Sequence, residues 1–137
     1  MKDRATALAD EALLLCGTDF RLHGRDAETG LDCIGLAGLC ISAADLQTMV
    51  PTGYSMRGGN VEVIIGVMEQ AGFEKVCHQS KPLDGDVLLV RVSPVQLHFM
   101  IRAYGGYVHA HAGLRKIVLS PGSCPWPILE IFRIVES

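Results

Sequence analysis

The 137-residue chain is most informative first in what it has little of. Twelve Lys and Arg against fifteen Asp and Glu leave a net charge of −3, and no stretch gathers the basic side chains into a block or interleaves them with aromatics. A nucleic-acid or anionic-membrane surface needs such a patch, so neither partner is expected. No apolar run approaches the roughly 20 residues of a membrane span. Lys2, Asp3, Arg4, Asp10 and Glu11 break up the first sixteen residues, so a secretory signal is not expected either. A chain of this kind is expected to be made in the cytoplasm and to leave, if it leaves, by a route that needs no signal peptide. The five cysteines (16, 33, 40, 77 and 124) are odd in number, with no CxxC pair. That pattern fits neither a disulfide framework nor a zinc site, and no metal or other cofactor is expected.

What is present is an ordinary globular balance, 49% hydrophobic and 20% charged, over a length suited to one domain, residues 1–137. The first half carries helical periodicity: Ala5 to Cys16, Cys33 to about Leu46, and about Val61 to Gln70, the last between an N-capping Asn60 and Gly72. Polar residues from Thr18 to Gly30 read as loop, as does the segment holding Pro51, Gly53, Gly58 and Gly59. The second half reads as strands: Val87 to Val92, Leu97 to Tyr104, Tyr107 to Ala112, Lys116 to Leu119 and Leu129 to Val135. Gly105-Gly106 is a two-residue hairpin signal, and the three prolines between Ser120 and Pro127 mark a loop. Helices followed by an antiparallel sheet of about five strands make an α+β domain.

Within this frame Asp32-Cys33 stands out. Asp32 occupies an N-cap position, which puts Cys33 in the first turn of a helix that is apolar nearly all round. The unpaired N–H groups and dipole at such a terminus favour a thiolate and are expected to lower the thiol pKa. A thiol nucleophile also needs a base and a group to orient it. His98, His109 and His111 fall on one face of adjacent strands. With Gly105-Gly106 as the turn, Met100 opposes His111, which makes His111 the diagonal neighbour of His98. A turn starting earlier sets His109 opposite His98 instead. Spacing leaves both open. Three histidines on one face are also a zinc ligand set, but that reading leaves the Asp-Cys helix start without a role. Cys77-His78 reads as the edge of a strand or loop, and Trp126 between two prolines as a packed loop anchor.

Four short motifs in order resemble the NlpC-type cell-wall cysteine peptidases, which share a papain-like fold. They are Asp32-Cys33-Ile34-Gly35-Leu36, Gly85-Asp86-Val87, His98-Phe99-Met100-Ile101 and Tyr107-Val108-His109-Ala110. The resemblance runs from about Cys16 to Ile134. Through Phe20 to Asp26 and Thr29-Gly30-Leu31 it is strongest to the branch found in phage tails and gene-transfer particles. It implies Cys33 as nucleophile, His98 as base and His109 as the orienting residue. It also implies Asp32 as a contact for the free amine of a peptidoglycan stem peptide, cut next to D-glutamate. His23 is a weaker candidate for a second oxyanion donor. By the same resemblance the expected partners are a peptidoglycan peptide and phage-tail or particle proteins, with action at the cell wall. The chain departs from the family pattern at Ile34 (often serine), Phe20 (often tyrosine) and Met100 (usually glycine). The first two remove hydroxyls, and the third is expected to narrow the groove. Two other outcomes are compatible with the same residues: a tail-assembly protein of this fold with weak catalysis, and a thiol amidase or acyltransferase acting on another small substrate.

Overall fold

The computed structural model describes residues 3–46, 56, 58 and 60–135. The positions Pro51, Gly53 and Gly59 of the expected loop lie outside them. Helix α1, Arg4–Leu15, is capped by Asp3, whose carboxylate accepts the Thr6 N–H at 2.7 Å. It buries Leu8, Ala9, Ala12 and Leu15 at helical spacing. Helix α2, Cys33–Ala43, is buried over most of its surface. It ends earlier than the sequence suggests, because Asp45 turns into the left-handed region (φ 61°) and the Leu46 N–H bonds back to the Ile41 carbonyl. Helix α3, Val61–Ala71, runs between the Asn60 cap and a left-handed Gly72, as the two residue types dictate.

Between α1 and α2, a two-residue ladder joins β1, Arg25–Asp26, to β2, Gly30–Leu31. The main sheet has six strands: β3 (Phe73–Val76), β4 (Val87–Ser93), β5 (Gln96–Ala103), β6 (Gly106–His111), β7 (Lys116–Pro121) and β8 (Ile128–Ile134). Their order is β3-β8-β4-β5-β6-β7, and every neighbouring pair is antiparallel. The expected α+β arrangement with an antiparallel sheet is the one observed, with one strand beyond the five read from the sequence. The missed strand, β3, has only four residues, with Glu74 and Lys75 exposed, so it shows no apolar run; its pairing with β8 defines it.

The sheet is buried on both sides. The three helices pack on one face, over Leu89, Phe99, Ile101 and Val108. A second cluster on the opposite face gathers Leu88, Val90, Met100, Tyr107 and Ile131, covered by Cys124 and Trp126 of the segment after β7. This explains the unbroken apolar run Val87 to Val90, since a strand buried on both faces does not alternate.

The Gly85-Asp86 pair has a structural role. Gly85 sits at φ 91°, and a Cβ there would lie 2.4 Å from the Ala5 carbonyl oxygen, so only glycine lets α1 approach this turn. Asp86 is buried, and its carboxylate takes both Nε and Nη2 of Arg133 at 3.0 and 2.8 Å, as well as the Leu83 N–H. Asp86→Ala is expected to cost about 2 kcal/mol of stability in urea unfolding, as a charged bidentate pair between the turn before β4 and strand β8 is lost. A loss below about 0.5 kcal/mol would place the pair with ordinary surface ion pairs.

Candidate active site

The wall before Cys33 is built by close backbone approach. Residues 18–32 fold back on themselves through Arg21 N–H to Leu31 O, Leu31 N–H to Asp19 O and Gly24 N–H to Arg21 O. Gly24 is required there, since a Cβ on it would meet the Gly30 carbonyl oxygen at 2.2 Å. This loop presses on the first turn of α2, where a Cβ on Gly35 would lie 2.1 Å from the Gly24 oxygen. Asp32 is the joint between loop and helix. It accepts the Gly35 N–H and Arg25 Nη1 on Oδ1, both at 2.8 Å, and the His23 N–H on Oδ2 at 2.9 Å. His23 is held by that bond in a left-handed backbone conformation, φ 60°. Asp32 thus caps α2 as its sequence position indicated, with one lone pair of Oδ2 left over.

Cys33 opens α2 and is 7% exposed. The backbone N–H groups of Phe99 and of Cys33 itself face its sulfur and favour the thiolate, as expected of a helix start. Burial outweighs them, and with Asp32 alongside it pushes the thiol up to about 12. The expectation of a lowered thiol pKa is therefore corrected. Removal from water costs a thiolate more than these N–H groups return, so the resting group is a neutral thiol.

His98 lies next to Phe99 on β5, and the hairpin carries His109 across to it. The turn is Tyr104-Gly105, with both residues at positive φ (44° and 88°), and the ladder pairs Ala103 with Gly106 and Ile101 with Val108. Neither register considered from spacing is the observed one. Gly106 stays inside the ladder because a Cβ there would meet the Ser120 carbonyl oxygen at 2.6 Å. Continuing the observed register sets His109 opposite Met100, one diagonal step from His98. His98 Nε2 and His109 Nδ1 are 3.2 Å apart. His109 Nε2 faces Ser120 Oγ at 2.9 Å. Both nitrogens of His109 thus have protein partners, which leaves neither for a metal ion. His111 lies to one side, with its Nδ1 accepting the Leu114 N–H at 3.0 Å. Burial, reinforced by the neighbouring histidines, pushes His98 down to about 3 and His109 down to about 4, so both rings are neutral at physiological pH.

Cys33, Asp32, His23, His98 and His109 all line one cavity of about 540 Å³, and His111 lines it with them. Its remaining walls are largely apolar, with Phe20, Leu22, Ile34, Met56, Val92 and Trp126. Phe20 and Ile34, two of the departures noted in the sequence, thus lie where a substrate would touch them. Met100, the third, does not. It shares the histidine face but is fully buried there beneath Trp126 with Leu88 and Tyr107, and it is no part of the cavity wall, so the expected narrowing of the groove by its side chain is corrected. Trp126 is a packed loop residue and also a wall of the site, its ring edge-to-face with His98 and His109 at centroid distances of 5.8 and 5.6 Å. Ser120 carried no signal, because the prolines after it made its segment look like loop. Only the pairing of Tyr107 with Ser120 puts it on the histidine face.

No family model matches the sequence, and no curated protein matches it. Solved structures do. NlpC2 from Trichomonas vaginalis superposes with a TM-score of 0.73 at 16% identity over 98% of this chain, which spans about half (48%) of that protein. The NlpC/p60 domain of peptidoglycan hydrolase SagA gives 0.54 at 24% identity, over 85% of this chain and 88% of that one. An N-acetylmuramoyl-L-alanine amidase from Bacteroides uniformis gives 0.62 at 11% identity, over 97% and 99%. At these identities the likeness is one of fold, and the fold is the papain-like arrangement of NlpC/P60 proteins.

Proposed function

We propose that this chain is a cysteine peptidase that hydrolyses amide bonds in peptidoglycan stem peptides. The observation that carries the reading is the cavity shared by Cys33, at the start of a buried helix, and the hydrogen-bonded pair His98 and His109. The fold and its cell-wall-acting structural neighbours support it. In this reading Cys33 is the nucleophile, His98 the base and His109 the residue that orients it. Because thiol and imidazole are both neutral at rest, the thiol proton moves to His98 as sulfur attacks the carbonyl carbon. The Cys33 N–H stabilises the tetrahedral oxyanion, with His23 as the candidate second donor; one such donor is worth about 3 kcal/mol of barrier. His98 returns the proton to the leaving amine, the C–N bond breaks, and water hydrolyses the thioester. Asp32 meets the amine of the stem peptide through its remaining Oδ2 lone pair, and the bond cut lies next to D-glutamate. Action at the cell wall as part of a phage-tail-like particle rests on the sequence motifs from Phe20 to Leu31.

The apolar walls formed by Phe20, Ile34 and Trp126 favour one second reading, a thiol amidase or acyltransferase for another small substrate. Digestion of purified muropeptides under reducing conditions, read by mass spectrometry, separates the two. Wild type is expected to release stem-peptide fragments, and Cys33→Ser to lower that release by at least about 10³-fold. Intact muropeptides across pH 5–9, alongside a Cys33 that still accepts an acyl group from small activated esters, would sink the peptidase reading in favour of the second.

A further inference from the structure

The site already described ends at His109, yet the polar chain continues to a third strand. Its links run on one diagonal of the sheet, from His98 on β5 to His109 on β6 and Ser120 on β7, each step offset toward the Tyr104-Gly105 turn. A neutral imidazole carries one proton, so each link has one donor and one acceptor, and the choice at either end fixes the rest. The base reading of His98 needs a lone pair on the nitrogen facing away from His109, which is Nδ1. The proton must then sit on Nε2 and point at His109 Nδ1. His109 in turn must be protonated on Nε2, with Ser120 Oγ as its acceptor.

The opposite polarity is equally well hydrogen-bonded and inactive. If Ser120 donates to His109 Nε2, the His109 proton moves to Nδ1 and His98 accepts it on Nε2. The His98 proton then occupies Nδ1, so no lone pair remains for the thiol. We infer that Ser120 is a positioning residue that sets the tautomers of His109 and His98, accepting the His109 N–H and so leaving His98 Nδ1 free as a base. The half-buried position of Ser120 suits an acceptor, because water is near enough to take the hydroxyl's own proton. Trp126 lies edge-to-face with both rings, which limits their exchange with solvent and lets one weak acceptor decide the matter.

This inference rests on the assignment of Cys33 and His98 above, and its test does not depend on the peptidoglycan substrate. Two-bond ¹H–¹⁵N spectra of the full chain at pH 7.5 report the tautomer of each ring. Wild type is expected to show Nε2–H for both His98 and His109. Ser120→Ala is expected to move both toward Nδ1–H and to slow alkylation of Cys33 by iodoacetamide about 10-fold, whereas Ser120→Thr restores both readings. Where muropeptide cleavage is measurable, Ser120→Ala is expected to lower kcat with little change in KM. Unchanged tautomers and an unchanged alkylation rate in folded Ser120→Ala would overturn the inference and leave Ser120 as a sheet residue only. A chain that shifts its tautomers on this substitution but cuts no muropeptide would keep the inference and fail the substrate assignment.

Discussion

His98→Gln is expected to lower amide hydrolysis by at least about 10³-fold and yet to make folding less sensitive to acid. The first effect is the loss of the general base. The second follows from burial. An unfolded histidine titrates near 6.5, whereas His98 is held at about 3 in the fold. Between those values the unfolded chain binds a proton that the folded chain refuses. Stability is therefore complete above about pH 6.5 and falls as pH drops, by up to about 1.4 kcal/mol per unit. At pH 5 His98 alone accounts for roughly 2 kcal/mol, a contribution that glutamine, which does not titrate, cannot make. His109, held at about 4, acts in the same direction, so the variant keeps part of the slope and the His98→Gln/His109→Gln double variant loses most of it. Urea unfolding at pH 5 and pH 8 checks this: the stability difference between the two should shrink by about 2 kcal/mol in His98→Gln. An unchanged difference would mean that His98 titrates as an ordinary exposed histidine.

Gly35→Ala, a single added methyl group, is expected to be among the most damaging substitutions in the chain. The new Cβ would lie 2.1 Å from the Gly24 carbonyl oxygen, a backbone atom that also accepts the Asp32 N–H and cannot swing aside. Relief requires the loop to lift off α2, which breaks the Asp32 cap and moves His23 away from Cys33. A cost of about 3 kcal/mol or more is expected, a fall in Tm on the order of 10 °C for a chain this size. Gly66→Ala is the internal control. Gly66 lies inside α3 with nothing within 4 Å of an added Cβ, so the same change there should stabilise by about 0.5–1 kcal/mol. Calorimetry of the two variants separates a steric account from simple helix propensity, which predicts that both gain.

Much of this architecture can be read from residue types alone, and the exceptions have physical causes. Asp32 and Asn60 cap their helices where their side chains suggest, because capping is a local bond. Strand β3 is illegible because it is short and half polar, and the sheet rather than its own pattern makes it a strand. The hairpin register was misleading because Gly105-Gly106 serves two purposes. Gly105 supplies the turn, and Gly106 lets β7 approach. That one-residue difference decides which histidine touches His98. The direction of the Cys33 shift was missed because a helix terminus is visible in sequence whereas the degree of burial is not. Ser120 was hidden because its partner lies eleven residues away on another strand.

The strand order carries one consequence for how the molecule comes together. The chain segment up to β3 supplies Cys33, and the meander β4-β5-β6-β7 supplies the histidines. Within the sheet, β3 is joined to that meander only by β8, which slides between β3 and β4. The last of the six strands in chain order is thus the seam between β3 and the meander. Its pairings span long stretches of sequence, the kind of contact that folds slowly. Until Ile128–Ile134 is in place, β3 and the helix α3 packed against it have no strand joining them to the meander that carries the histidines.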